Sequence, residues 1–138
     1  FMTDFHFPER FNDNLADDGV KFEVIDENDN VWGVFKCRLI DRTLPRWRTT
    51  MERIQRRYKN DNKTKLVDIR GELFVELALV DWEMKDAKGK AIPFDKQTAI
   101  AYFKHPKAAF ALEYLFAMAE DVRNFQPEEQ NGELPEGN

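Results

Sequence analysis

The order of residues from Leu77 to Asp95 constrains this chain most. An apolar run, Leu77-Ala78-Leu79-Val80, ends at Trp82, and a charged turn containing Gly89 follows. Ile92-Pro93-Phe94-Asp95 then opens a second apolar segment. The run reads as the end of a helix over about Lys65 to Trp82, with Leu66, Ile69, Leu73, Leu77 and Val80 near one face. Gly71 and the β-rich Leu73-Phe74-Val75 leave a strand open as the alternative. Asp95 is placed to cap a helix through Tyr102 or Phe103, its carboxylate accepting from otherwise free amides. Trp82 and Phe94 read as core residues that lock two helical units across the turn.

Upstream, Val20 to Asp26 alternates apolar and polar residues as a half-buried strand does. Val31 to Ile40 repeats the pattern, with Val31, Gly33, Phe35, Cys37 and Leu39 on one face and Trp32, Val34, Lys36 and Arg38 on the other. Glu27-Asn28-Asp29-Asn30 between them is turn chemistry, because Asn and Asp tolerate left-handed dihedrals, so the pair predicts a β-hairpin. Pro45 then fits the first turn of a helix, where a missing N–H costs nothing. Leu44, Trp47, Met51, Ile54 and Tyr58 follow as one apolar stripe, and Asn60-Asp61-Asn62 ends it. His105-Pro106 breaks the chain before a last helix, about Lys107 to Asn124, that is apolar almost all round.

These elements predict an α+β fold: a two-layer domain in which an N-terminal β-hairpin or small antiparallel sheet packs with three to four helices. Residues 1–18 read as an arm, pinned to a neighbour through Phe1, Phe5, Phe7 and Phe11; 19–125 as a single domain; and 126–138 as a disordered acidic tail. Phe1 ahead of Met2 reads as one extra residue before the native start. At 138 residues and 42% hydrophobic content, the chain is large enough for a core without staples. One cysteine rules out an intramolecular disulfide and fits a reducing compartment. No apolar run is long enough to span a bilayer, and a net charge of −5 gives no general case for nucleic-acid binding.

The chain contains no serine, which removes Ser-His-Asp chemistry. His6, His105 and Cys37 are too scattered for a zinc site, whose ligands come in short-spaced pairs. Asp26 to Asn30 resembles a calcium loop only superficially, since Val31 and Cys37 stand where a glycine and a bidentate glutamate are needed. Glu72 and Glu76, one helical turn apart, read as a solvated helix face. No cofactor, metal or catalytic constellation is expected, and the chain reads as a non-enzyme. Between Arg42 and Lys65, nine basic residues stand against two acids, a patch for nucleic acid or an acidic partner, or else a solvated face balanced by the acidic arm and tail. Candidate partner-binding residues are therefore Phe110, Tyr114, Met118 and Phe125 on the last helix, with Arg53, Arg56 and Arg57 on the basic one.

An apolar helix ending in a tryptophan, a charged turn, Pro-Phe, a capping residue and two helices parted by a proline resembles the tail assembly chaperones of long-tailed bacteriophages. The residues that carry the likeness are Trp82, Gly89, Pro93, Phe94, Asp95 and Pro106, and the distinctive part runs from Leu77 to Phe125. The resemblance implies a protein that coats the tape-measure protein, keeps it soluble and helps recruit tail-tube subunits. It also implies self-association, residence in the host bacterial cytoplasm and absence from the mature virion. Many members are made in a longer form by frameshifting, and the tail after Pro127 offers a place for such an extension. The competing readings are a structural virion component, such as a head–tail connector or tail-terminator subunit, and a small nucleic-acid-binding regulator using the basic helix.

Overall fold

A computed structural model describes residues 3–126 of the chain; Phe1 and the tail from Pro127 lie outside them. The predicted hairpin forms from β1 (Val20–Ile25) and β2 (Val31–Cys37), antiparallel with Phe22 opposite Phe35. The sheet is larger than the hairpin. β3 (Leu79–Lys85) pairs antiparallel with β2, placing Phe35 opposite Trp82, and the short β4 (Ala91–Ile92) closes the order β1-β2-β3-β4. Phe22, Val24, Phe35, Cys37, Trp82 and Met84 are buried, while Lys21, Glu23, Asp81 and Glu83 stay exposed. One face of the sheet thus meets the helices, which makes the chain an α+β domain.

The helix predicted to reach Trp82 stops early. A 3-10 turn (Leu66–Ile69) leads into α3 (Arg70–Leu77), and the chain passes through Ala78 directly into β3. Strict alternation from Asp81 to Lys85 decides this, because it buries Trp82 and Met84 and leaves their charged neighbours in water. Trp82 and Phe94 therefore lock a β-hairpin and not two helical units. Their rings meet edge to face at 5.4 Å, and the Trp82 indole N–H donates to the carbonyl of Ile92 at 2.9 Å. In the β3–β4 turn, Asp86 accepts from the amides of Lys88 and Lys90, and Gly89 takes φ +83°.

Inside the arm, residues 13–18 form a short helix, α1 (Asp13–Asp18), capped by Asn12, whose side chain accepts from the Leu15 amide. α2 (Pro45–Arg57) follows the predicted stripe, burying Ile54 and half-burying Leu44, Trp47, Met51 and Tyr58. Asp95 caps α4 (Lys96–Lys104) through the Thr98 amide. The last predicted helix is three pieces: a 3-10 turn (Pro106–Ala108), α5 (Ala109–Glu120) and a second 3-10 turn (Val122–Phe125). Asp121 ends α5 because its carboxylate caps the next turn through the Arg123 amide.

Candidate protein-binding surface

The surface begins with an irregularity in β2. Val24 faces Gly33 and Ile25 faces Val31, so Trp32 is the extra residue of a β-bulge. Gly33 permits it: φ is +151°, and a Cβ there would lie 2.8 Å from Met84 Cγ and 3.0 Å from the Glu83 carbonyl oxygen. The bulge takes Trp32 off the outward face where simple alternation places it, and brings its ring to 5.4 Å from Phe110 of α5. The indole N–H donates to Asp26 Oδ2 at 2.9 Å. That bond, with the amide of Asn30, holds the Asp26 carboxyl down at about 2.

Beside Trp32 opens a groove of about 480 Å³ between the β3–β4 hairpin and the α4–α5 junction. Trp32, Trp82, Met84, Ile92, Tyr102 and Ala108 line it, so its walls are almost wholly apolar. A second hollow of about 780 Å³ continues across Trp82, Met84 and Ile92 toward Phe94. His105 stands at the rim and is occupied structurally, its Nδ1 accepting from the Lys107 amide at 3.0 Å. Past Trp32 the apolar surface runs onto α5, where Phe110 is 40% and Tyr114 38% exposed and Met118 is half-buried. These three recur every fourth residue and form one stripe on the helix.

Phe125 does not belong to that stripe. It is fully buried, its ring edge-on to Phe22 at 6.2 Å, because the break at Asp121 turns it into the core.

The basic candidates divide in a similar way. Arg53 bonds to Glu76, and Arg57 bonds to both Glu72 and Glu76, the latter at 2.7 Å. Tyr58 donates to Glu72, and Lys96 stands 3.9 Å from Glu76. The side chains of Glu72 and Glu76 are only 7% and 2% exposed, so the solvated face expected for them is in fact a buried joint between α2 and α3. Burial works against the charge of Glu76, but the two guanidinium groups prevail and hold its carboxyl below the usual range. Of the three arginines, Arg56 alone faces solvent without a bonded partner among the described residues, in a shallow depression with Glu52, Gln55 and Lys59. Arg42 lies over the Trp47 ring, and Arg46 donates to the Leu39 carbonyl, which reduces the free basic patch further.

Sequence reasoning missed Trp32, Met84 and Tyr102. The alternation in Asp81 to Lys85 could have found Met84, whereas the bulge at Trp32 depends on strand register. Cys37 is fully buried, and burial pushes its thiol up to about 12. Among the described residues, no three His, Cys, Asp or Glu side chains are placed to hold a metal ion. No described helix is long and apolar enough to cross a membrane. No protein-family model, characterised protein or solved structure matches the chain.

Proposed function

We propose that this protein is a phage tail assembly chaperone that holds apolar segments of the tape-measure protein in soluble form and helps bring tail-tube subunits to it. One observation carries this most: the groove at Trp32, Trp82 and Tyr102 continues into the Phe110–Tyr114–Met118 stripe as a single apolar track. A long helical partner offers apolar residues at helical spacing, and helix-in-groove docking is the mode such a track serves. Exposed apolar patches of this kind mark interaction sites more often than they mark nothing.

Part of the family likeness also supports the proposal. Residues Asp86 to Gly89 form a turn, Asp95 caps α4 after Ile92-Pro93-Phe94, and α4 ends before Pro106. The helix ending at a tryptophan does not survive, since Trp82 lies in β3. The chaperone acts in the host cytoplasm and leaves before the virion is complete. Co-expression with a tape-measure protein from the same genome tests this: the prediction is a soluble complex. A tape-measure protein that stays insoluble beside excess chaperone overturns it.

A further inference from the structure

The segment Thr3-Asp4-Phe5-His6-Phe7-Pro8-Glu9 carries two phenylalanines with nothing to cover them. Phe5 is 71% and Phe7 81% exposed, their ring centroids 6.1 Å apart. Leaving a large apolar side chain in water forgoes the full gain of burying it. The root of the segment is nevertheless held firmly. Arg10 pairs with Asp41 at 2.8 Å, the Asn12 amide donates to the Phe125 carbonyl at 2.8 Å, and Phe11 is half-buried against the core.

We propose that Phe5 and Phe7 of one copy dock in the Trp32–Trp82–Tyr102 groove of a second copy, so that the chain self-associates by arm exchange. The groove offers aromatic walls and a volume of about 480 Å³, within the ~300–1,000 Å³ of small binding pockets and sufficient for two phenyl rings. Charge matches as well. The arm carries Asp4 and Glu9, whereas Lys107 lines the groove, Lys85 lines the adjoining hollow and Lys88 and Lys90 lie in the turn beyond it. Among the described residues none of these six is in an ion pair. The acids on that side are already engaged, Glu83 with Lys21 at 3.2 Å and Asp86 with the amides of its own turn.

The chain's own groove does not hold its own arm, since Phe5 and Phe7 both stay exposed. The root lies at the end of α5 marked by Ala119 and Phe125, where Ile40 and Asn12 are bonded. The groove lies beyond the opposite end, marked by Phe110. Ala119 to Phe110 alone spans about 14 Å of helix, so the arm would have to run nearly fully extended along α5 to enter it. A second copy supplies the arm more readily than the first.

Sedimentation velocity of the full chain over a concentration series tests the proposal. The wild-type chain associates reversibly. Phe5→Ala/Phe7→Ala, which alters only exposed rings, weakens association by at least about a hundredfold, since each docked arm buries two phenylalanines. Ala101→Glu, which sets an anion on the exposed wall of the groove against the acidic arm, weakens it comparably. Mixing the two variants restores a heterodimer, because one partner keeps its groove and the other its arm. A wild-type chain that is monomeric throughout, unchanged association in Phe5→Ala/Phe7→Ala, or no heterodimer on mixing overturns the proposal. The measurement uses this chain alone, so its outcome is separate from that of the tape-measure experiment.

Discussion

Trp32 and Phe110 lie with ring centroids 5.4 Å apart and planes inclined at 44°, joining the β2 bulge to the first turn of α5. Phe110 stays 40% exposed, so the pair forms a ridge between groove and helix stripe and contributes little to the core. Phe110→Ala should therefore cost only about 1 kcal/mol, in keeping with a part-exposed aromatic pair. It should also shift the Trp32 contribution to fluorescence to longer wavelength. Chemical denaturation and emission spectra of the variant check both.

Acid should loosen the same ridge from its other side. The Trp32 indole N–H and the Asn30 amide depress the folded Asp26 carboxyl to about 2, below its ordinary 3.8. A depressed carboxyl stabilises the fold above the unfolded value, and that contribution disappears as pH falls through the folded value. Wild type should exceed Asp26→Asn in stability by a constant margin above about pH 4. The margin should close toward pH 2. Denaturation curves across that range measure it.

Gly71→Ala should destabilise the protein, although alanine is the better helix former by about 1 kcal/mol. A Cβ at Gly71 would lie 2.4 Å from the Phe103 carbonyl oxygen and 2.7 Å from its carbon, where α3 and α4 touch backbone to backbone. Neither helix can yield cheaply, and a net loss of about 2 kcal/mol is expected from overpacking of this kind. Thermal unfolding gives the sign directly.

Arg57→Ala should cost more than Glu76→Gln. The arginine is 40% exposed and serves two carboxylates that are 7% and 2% exposed, so its loss strands buried charge. About 2 kcal/mol is expected for the arginine variant against about 1 for the glutamine one, whose former partners return to water. The depressed carboxyl of Glu76 adds a pH signature: the joint is intact above the unfolded carboxylate value and weakens as pH falls through the lower folded one.

The hairpin and α2 were legible because each shows one period with a clear end: alternation around Glu27 to Asn30, and the stripe from Leu44 to Tyr58 behind Pro45. α3 was not. Gly71, Glu72, Leu73, Phe74, Val75 and Leu77 are all buried, so the helix has no polar face to mark its period or its end. It then runs into β3 with no turn residue between them, and one apolar run hides two elements. The joint at Glu72 and Glu76 was illegible for a different reason, since its partners Arg53 and Arg57 come from another helix. Phe125 was misplaced because a single cap at Asp121 redirects the chain. Of the candidate surface, the stripe at Phe110, Tyr114 and Met118 could be read from helical spacing, while Trp32 required the register of folded strands.

On the function proposed above, this apolar track holds the tape-measure protein. The most direct test is the amount of soluble tape-measure protein that co-purifies with the full chain, wild type against Phe110→Glu/Tyr114→Glu. Both positions are exposed at the helix surface, so the variant should fold. The prediction is abundant co-purification with wild type and at least a tenfold loss, or about 1.4 kcal/mol, with the variant. Equal recovery with both chains, or none with wild type, would contradict it.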